Sequence, residues 1–249
     1  VKWLSTDIYG TSSKILREYA VFPDHYRRQR VLPVHCAFEI SRFSGEHDEN
    51  KRRLCTSLGW PADTKIVLFA GRLDQSTQLG HPNNHKNSAF ALEVLYAIND
   101  PSVRMVMAGA NHYALEAFQA LINEKNLDDR VKLLGVRSDM AHLMLAADVL
   151  LFPSRAEGMG MVAVEAQAAG LPVLASSVVP DEIVVIPELV AFRNLEDSFP
   201  IWAETLLQML ARRTRQSTEN DGRWSLSGFN IEVCCRQLTQ LYLPQSQVV

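Results

Sequence analysis

Two carboxylates, Glu157 and Glu165, bracket a turn built from Gly158, Met159 and Gly160. The turn follows an apolar run, Val149-Leu150-Leu151-Phe152, and precedes residues 160–169, which read as a helix. Glycines at such a strand-to-helix junction let backbone N–H groups approach a ligand closely. The new helix also presents its positive end to an anion. Carboxylates beside that anion site would repel a bare phosphate, but they accept hydrogen bonds from hydroxyl groups. The combination suits a ligand that carries phosphates and sugar hydroxyls together, as a nucleotide-sugar does.

Cations recur at equivalent points. Arg72 follows the strand-like run 66–70 in Ala70-Gly71-Arg72, and Lys86 opens the next helix in His85-Lys86-Asn87. Gly109 ends a second strand-like run, and Gly135-Val136-Arg137 follows a third. In an open parallel sheet, ligands bind outside the carboxyl ends of the strands. All these residues therefore fall on one edge, where Arg and Lys would neutralise a diphosphate, Arg by two-point geometry and Lys as a point charge.

The elements that must position them alternate. Residues 66–70, 103–108, 131–134, 148–152 and 173–175 read as short buried strands. Residues 87–98, 114–125, 138–146 and 160–169 read as amphipathic helices between and after them. This predicts an α/β fold, a Rossmann-like parallel sheet covered by helices on both faces. Before it, residues 1–5 and 30–33 read as strands, 12–20 as a helix and 41–53 as an irregular polar stretch. After it, 199–213 and 231–243 read as helices, the first with Pro200 in its opening turn, and 214–227 as a polar connection. The expected division is 1–35 as the tail of a preceding domain, 36–64 as linker and lead-in, 65–229 as the ligand-binding domain, and 230–249 as a crossing helix and tail. A first residue of Val1 fits the later part of a longer protein.

Composition sets the outer bounds. The chain has 249 residues, 47% hydrophobic and 21% charged, with a net charge of −3, which gives no global case for nucleic-acid binding. Its four cysteines form no CxxC pair, which disfavours structural zinc and fits a reducing compartment. No apolar run reaches the roughly 18 residues of a membrane span, and no secretory signal opens the chain. The expected location is cytoplasmic, with room for peripheral contact at a membrane.

The pieces IVLFAGRL, HKN, VMAGA, VKLLGVRSDM, ADVLLFPSRAEGMGMVAVEAQAAGLPVLAS and a late PDE resemble the C-terminal, donor-binding half of a GT-B glycosyltransferase of family 4, the group 1 glycosyltransferases. The resemblance covers about residues 31–245. It implies that Arg72 and Lys86 bind the diphosphate and stabilise the leaving nucleoside diphosphate. Glu157 would sit by the donor sugar, with the amides of Gly158, Met159 and Gly160 touching sugar and phosphate. Glu165 would hold the ribose hydroxyls, and the turn at Val136 and Arg137 would border the base. It further implies transfer with retention, no metal for the chemistry, and no cofactor, since the nucleotide-sugar is a substrate. The implied acceptor is a glycan or a lipid-linked glycan, as in polysaccharide biosynthesis, and it would bind on an N-terminal domain that is mostly missing here. One departure stands out. The Arg and Lys lie only a few residues apart in the family, whereas here 13 residues, LDQSTQLGHPNNH, separate them.

Plainer roles stand beside these. Acids near a helix start commonly just offset its dipole. Arg72 and Lys86 could be solvated, and Arg137 is as readily structural as ligand-bound. His81 and His85 have metal-like spacing, but Pro82 argues for a loop. The basic run at residues 27–30 reads as a solvated turn, Cys234 and Cys235 as helix packing and surface, Met161 as core, and Met159 as offering its backbone. Two other functions stay open: a nucleotide-sugar-binding half without catalysis, and a sugar-nucleotide epimerase.

Overall fold

The computed structural model describes residues 7–10, 30–109, 114–212, 218 and 221–242. The expected strand at 1–5, the helix at 12–20 and most of the basic run lie outside them. A short parallel pair, β1 (Asp7–Gly10) and β2 (Arg30–Pro33), precedes the main body.

Six parallel strands form the main sheet: β3 (Lys65–Ala70), β4 (Val103–Ala108), β5 (Val131–Gly135), β6 (Val149–Phe152), β7 (Val173–Ser176) and β8 (Val190–Arg193). Their spatial order is β5-β4-β3-β6-β7-β8. The chain winds outward from β3 in one direction, then returns to the other side of β3 and winds outward again. The reversal lies between β3 and β6, so the crevice at their carboxyl ends is the topological switch point of the sheet. Strand β8 is a sixth strand beyond the five expected. It is short and half-buried at the sheet's edge, and lacks the continuous apolar run that marks the others.

Alternation along the strands sorts the core onto two faces. Ile66, Leu68, Ala70, Leu150 and Phe152 point to one side, while Val67, Phe69, Val149 and Leu151 point to the other. The first face is covered by α1 (His47–Leu58), α4 (Met140–Ala146) and α5 (Met161–Ala168). The second is covered by α2 (Ser88–Tyr96), α3 (Leu115–Glu124) and α6 (Phe199–Ala211). On that face Phe90 meets Phe199 and Trp202 edge-on at 5.0 and 5.2 Å.

The stretch 41–53 is not irregular. It holds part of a 3-10 turn, Ile40–Phe43, and the first half of α1. The polar connection at 214–227 contains a short helix, α7 (Gly222–Leu226), whose Trp224 is buried in the first-face core. The last helix, α8 (Ile231–Tyr242), begins against the segment leading into the turn. Phe38 and Asn230 form a bridge, Phe38 N–H donates to Phe229 O, and Ile231 N–H donates to Phe38 O.

Candidate active site

At the carboxyl end of β3 the chain turns through Gly71 into Arg72, which is exposed. The neighbouring strand exits through Gly109, whose φ of 103° favours glycine. A Cβ there would stand 2.3 Å from the Gly71 carbonyl oxygen, so only glycine permits these two strand ends to lie so close.

The long Arg72-to-Lys86 segment folds back on itself. Asn84 Nδ2 donates to Ser76 O and Gln78 O at 2.8 and 2.9 Å, pinning the loop from within. Asp74, 4% exposed, anchors its return. Its Oδ1 accepts from Lys86 N–H at 3.0 Å, and its Oδ2 accepts from Ser88 N–H at 2.7 Å and from Ser88 Oγ at 3.0 Å. Ser88 Oγ in turn accepts from Asp74 N–H. This clamp sets the start of α2 and brings Lys86 back beside the end of β3, so its Cγ and Cδ would lie 3.5 Å from a Cβ on Gly71. Thirteen intervening residues therefore leave Lys86 at the strand exit. The residue that holds it there, Asp74, escapes a reading by motif. Its available signal is a carboxylate just after a strand with a serine at the next helix start.

Across the switch point, Lys86 Nζ reaches Glu157 Oε1 at 2.6 Å and stands 5.6 Å from the centre of the Phe152 ring. The Glu157 side chain is only 9% exposed, whereas that of Lys86 is 27% exposed. The two loops are also joined through their backbones, since Arg155 N–H donates to His85 O at 2.8 Å and Arg155 Nη1 donates to His81 O at 2.9 Å. His85 thus serves through its carbonyl.

Helix α5 starts at Gly160, a left-handed N-cap with φ 92° packed against Phe152 and Val179. Helix geometry leaves the N–H groups of Met161 and Val162 without an intrahelical acceptor, while Ala163 N–H donates to Gly160 O at 2.9 Å. Gln167, fully buried, fixes the helix. Its amide nitrogen, Nε2, donates to Ala163 O and Ile183 O, while its Oε1 accepts from Val185 and Ile186 N–H. Met159 is a core residue at 5% exposure, while Met161, expected in the core, is half-buried. Burial raises the Glu165 carboxyl above its ordinary value, and the Arg42 guanidinium opposes that shift. The Glu165 carboxylate accepts no hydrogen bond from the described residues, while its backbone carbonyl accepts from Ala169 N–H at 3.1 Å.

The third-strand turn behaves differently. Val136 is 79% exposed, and Arg137 forks onto Asp139 through Nε at 2.8 Å and Nη2 at 2.6 Å. The structure thus joins Lys86 and Glu157 directly, sets Arg72 beside them through Gly71, and leaves Arg137 engaged with its own neighbour. Arg72 also lines a small cleft of about 180 Å³ with Asp74, Gln75, Asn83 and His85. A larger cleft of about 610 Å³ opens at the opposite edge of the sheet, near His47, Lys51, Asp148 and Arg212. No group of three or more His, Cys, Asp or Glu side chains among the described residues is arranged to hold a metal ion.

Residues 64–211 match the profile of the family described as glycosyl transferases group 1. The chain belongs to the group 1 glycosyltransferases. It is 30% identical over 212 residues to a D-inositol 3-phosphate glycosyltransferase of Mycolicibacterium smegmatis, covering 80% of this chain and 45% of that one. It is 34% identical over 155 residues to the Mycobacterium bovis protein of the same name, covering 60% and 29%. The chain spans about half the length of these relatives or less. Among solved structures, the sucrose-phosphate synthase of Thermosynechococcus elongatus superposes with a TM-score of 0.74 at 25% identity, over 95% of this chain and 57% of the other. The HepE protein of Anabaena, in complex with UDP and glucose, superposes with a TM-score of 0.75 at 19% identity, over 99% and 64%. The fold is a Rossmann-like six-stranded parallel sheet flanked by helices, shared with GT-B glycosyltransferases. No helix among the described residues of this group 1 glycosyltransferase chain is long and apolar enough to cross a membrane.

Proposed function

We propose that the carboxyl edge of the sheet binds a nucleotide-sugar, and that the chain is the donor half of a retaining glycosyltransferase acting on a glycan or lipid-linked acceptor. The observation that carries this reading is the Lys86–Glu157 pair across the switch point. A lysine suited to phosphate and a glutamate suited to sugar hydroxyls meet where a sugar–phosphate bond would lie. In the free chain each occupies the other. An incoming diphosphate replaces Glu157 at Lys86, which releases the carboxylate to accept from the sugar.

In the transfer step, the bond between the anomeric carbon and the diphosphate oxygen breaks, and negative charge grows on the departing phosphate. Arg72, Lys86 and the N-terminal N–H groups of α5 meet that charge already in place, so little reorganisation is needed as it develops. Glu165, on the same helix, takes the ribose hydroxyls. UDP-sugars are the first donors to try, given HepE's complex with UDP and glucose.

The test is calorimetric titration of the chain with UDP and UDP-glucose. Lys86→Met and Arg72→Ala should each weaken UDP by roughly tenfold or more, the size of a lost charge-assisted hydrogen bond. Unchanged affinity in both variants would remove the site from this edge. Product analysis with UDP-glucose then distinguishes transfer or hydrolysis from epimerisation and from binding alone.

A further inference from the structure

The segment leading into the sheet and the helix α8 meet at a junction that carries three of the four cysteines. Cys36 lies in the lead-in, and Cys234 and Cys235 lie near the start of α8. The backbones hold the junction together, with Phe38 N–H donating to Phe229 O at 2.9 Å and Ile231 N–H to Phe38 O at 3.1 Å. The His35 ring stacks on Phe229 with 4.6 Å between centroids. Cys234 turns inward. It is 6% exposed, and its Sγ–H donates to His35 O at 3.8 Å, across 199 residues of sequence. The accepting carbonyl is the one bonded to the Cys36 nitrogen. Standard peptide geometry then puts the Cys234 sulfur no more than about 6.6 Å from the Cys36 Cα. Disulfide-bonded residues have Cα atoms roughly 4.4–6.8 Å apart, and the junction sets this pair on that scale. Cys36 is exposed, so its side chain can turn toward the sulfur without unpacking anything. Cys235, also exposed, stands about 100° further round the helix.

We infer that Cys36 and Cys234 are an oxidation site, closing into a reversible disulfide that fastens α8 to the lead-in segment. The oxidant is a low-molecular-weight disulfide such as oxidised glutathione. The Cys36 thiolate attacks one of its sulfurs, the glutathione S–S bond breaks, and one glutathione leaves with the proton that Cys36 gave up. Cys234 then loses its proton and attacks the Cys36 sulfur, and the second glutathione leaves as a thiol. Two protein thiols are thereby oxidised by two electrons, and one glutathione disulfide is reduced to two thiols. Access sets the order. Cys36 is open to solvent, whereas Cys234 is buried. Burial raises the Cys234 thiol above its ordinary value, and the neighbouring Cys235 and Cys36 push it the same way, so Cys234 attacks second and at close range. A reducing compartment keeps both thiols free at rest, and the bond forms on oxidative challenge.

The test incubates the full chain with oxidised glutathione, alkylates the remaining thiols and maps the cysteines by mass spectrometry. A peptide linking Cys36 to Cys234 should appear, with Cys55 and Cys235 left as thiols, and dithiothreitol should reverse it. The oxidised chain should melt roughly 5 °C or more above the reduced one, because the bond closes a long loop. Cys36→Ser should lose both the linked peptide and the rise in midpoint. That position is exposed, so this variant decides the matter even where Cys234→Ser fails to fold. Cys55→Ser and Cys235→Ser should keep both. A link from Cys36 to Cys235, a link between two chains, or glutathione held on Cys36 with no link would each overturn the pairing. A linked chain whose midpoint equals that of the reduced form would overturn the fastening of α8. None of these readouts involves the nucleotide site, so the inference stands or falls apart from the donor-binding reading.

Discussion

Each edge of the sheet holds a lysine–carboxylate pair, and the two pairs are built to opposite ends. At the amino edge Asp148 leads into β6. Its oxygens accept from Lys51 Nζ at 2.8 Å and from Ile66 N–H at 2.6 Å, with His47 Nε2 3.3 Å away. That carboxylate is saturated, and every partner is the protein itself. At the carboxyl edge the Glu157 side chain is 9% exposed against 19% for Asp148, yet it pairs with a single cation, Lys86, and the Glu165 carboxylate accepts no hydrogen bond from the described residues. A saturated acid joins elements together, whereas acids left with acceptor capacity are available to something that is not the protein. The larger cleft, on the Asp148 side, is lined in part by the members of this saturated pair, His47, Lys51 and Asp148.

The largest expected effect breaks the structural pair. Asp148→Ala leaves Lys51 facing a mostly buried site and removes the tie between α1 and the sheet. It should cost about 3 kcal/mol of unfolding free energy in urea denaturation, in the range for breaking a buried pair. The pH dependence has a fixed sign. Burial pushes the Asp148 carboxyl up, but hydrogen bonds from His47, Lys51 and Ile66 outweigh it, and the carboxyl lies below its ordinary value. The folded state thus binds this proton less readily than the unfolded chain. Its contribution is complete above the ordinary carboxylate range and is lost as pH falls through the depressed folded value. Wild-type stability should therefore fall on acidification more steeply than that of the variant. Equal acid sensitivity in the two chains would deny Asp148 its structural role.

The same contrast shows what a single sequence can reveal. The carboxyl edge was legible because its determinants are local. Buried strands ending in glycine, a turn and a helix start put Arg72, Lys86, Glu157 and Glu165 on one edge before any coordinates are seen. The amino edge was not. Helix α1, HDENKRRLCTSL, reads as a solvated polar stretch because it buries little more than Cys55 and the inner sides of Leu54 and Leu58. What orders it is Asp148, 97 residues from Lys51. Helix α7 was hidden similarly, its one buried anchor being Trp224 in a polar setting. The junction of Cys36 and Cys234 belongs with these, since nothing near either residue in sequence indicates that α8 will begin against residues 35–38. Lys86 is intermediate: its place at the edge was legible, while the Asp74–Ser88 clamp that delivers it there depends on how the loop closes.

A smaller effect, of opposite pH sign, sharpens the comparison. Burial holds the Glu165 carboxyl above its ordinary value, so folding costs free energy wherever the unfolded chain would have it ionised. Stability should fall as pH rises through the window between the ordinary glutamate value and the raised one. Glu165→Gln should abolish that fall and stabilise the chain at pH 7 by about 0.5–2 kcal/mol, while weakening UDP about tenfold. Thermal denaturation at pH 4.5 and pH 7 reads the first effect, and calorimetry the second. A variant that is less stable at pH 7 would place Glu165 with Asp148 among the joining acids.

The smallest expected effect is at Arg137, which shares the carboxyl edge but not its open character. Its guanidinium donates twice to Asp139, raising its own basicity through those hydrogen bonds and lowering that of the carboxyl. Both side chains are more than a third exposed, at 39% and 38%, so solvent screens most of that attraction. A surface pair two residues apart fixes the local turn and little else. Arg137→Ala should change unfolding free energy by less than about 0.5 kcal/mol and UDP affinity less than about twofold, because contacts to a base at this turn would come from the backbone around the exposed Val136. The informative failure is a tenfold loss of UDP with stability intact. Arg137 would then have to leave Asp139 on binding, as Lys86 leaves Glu157, and the line between engaged and available charges would run through the bound state of this edge instead of between the two edges of the free chain.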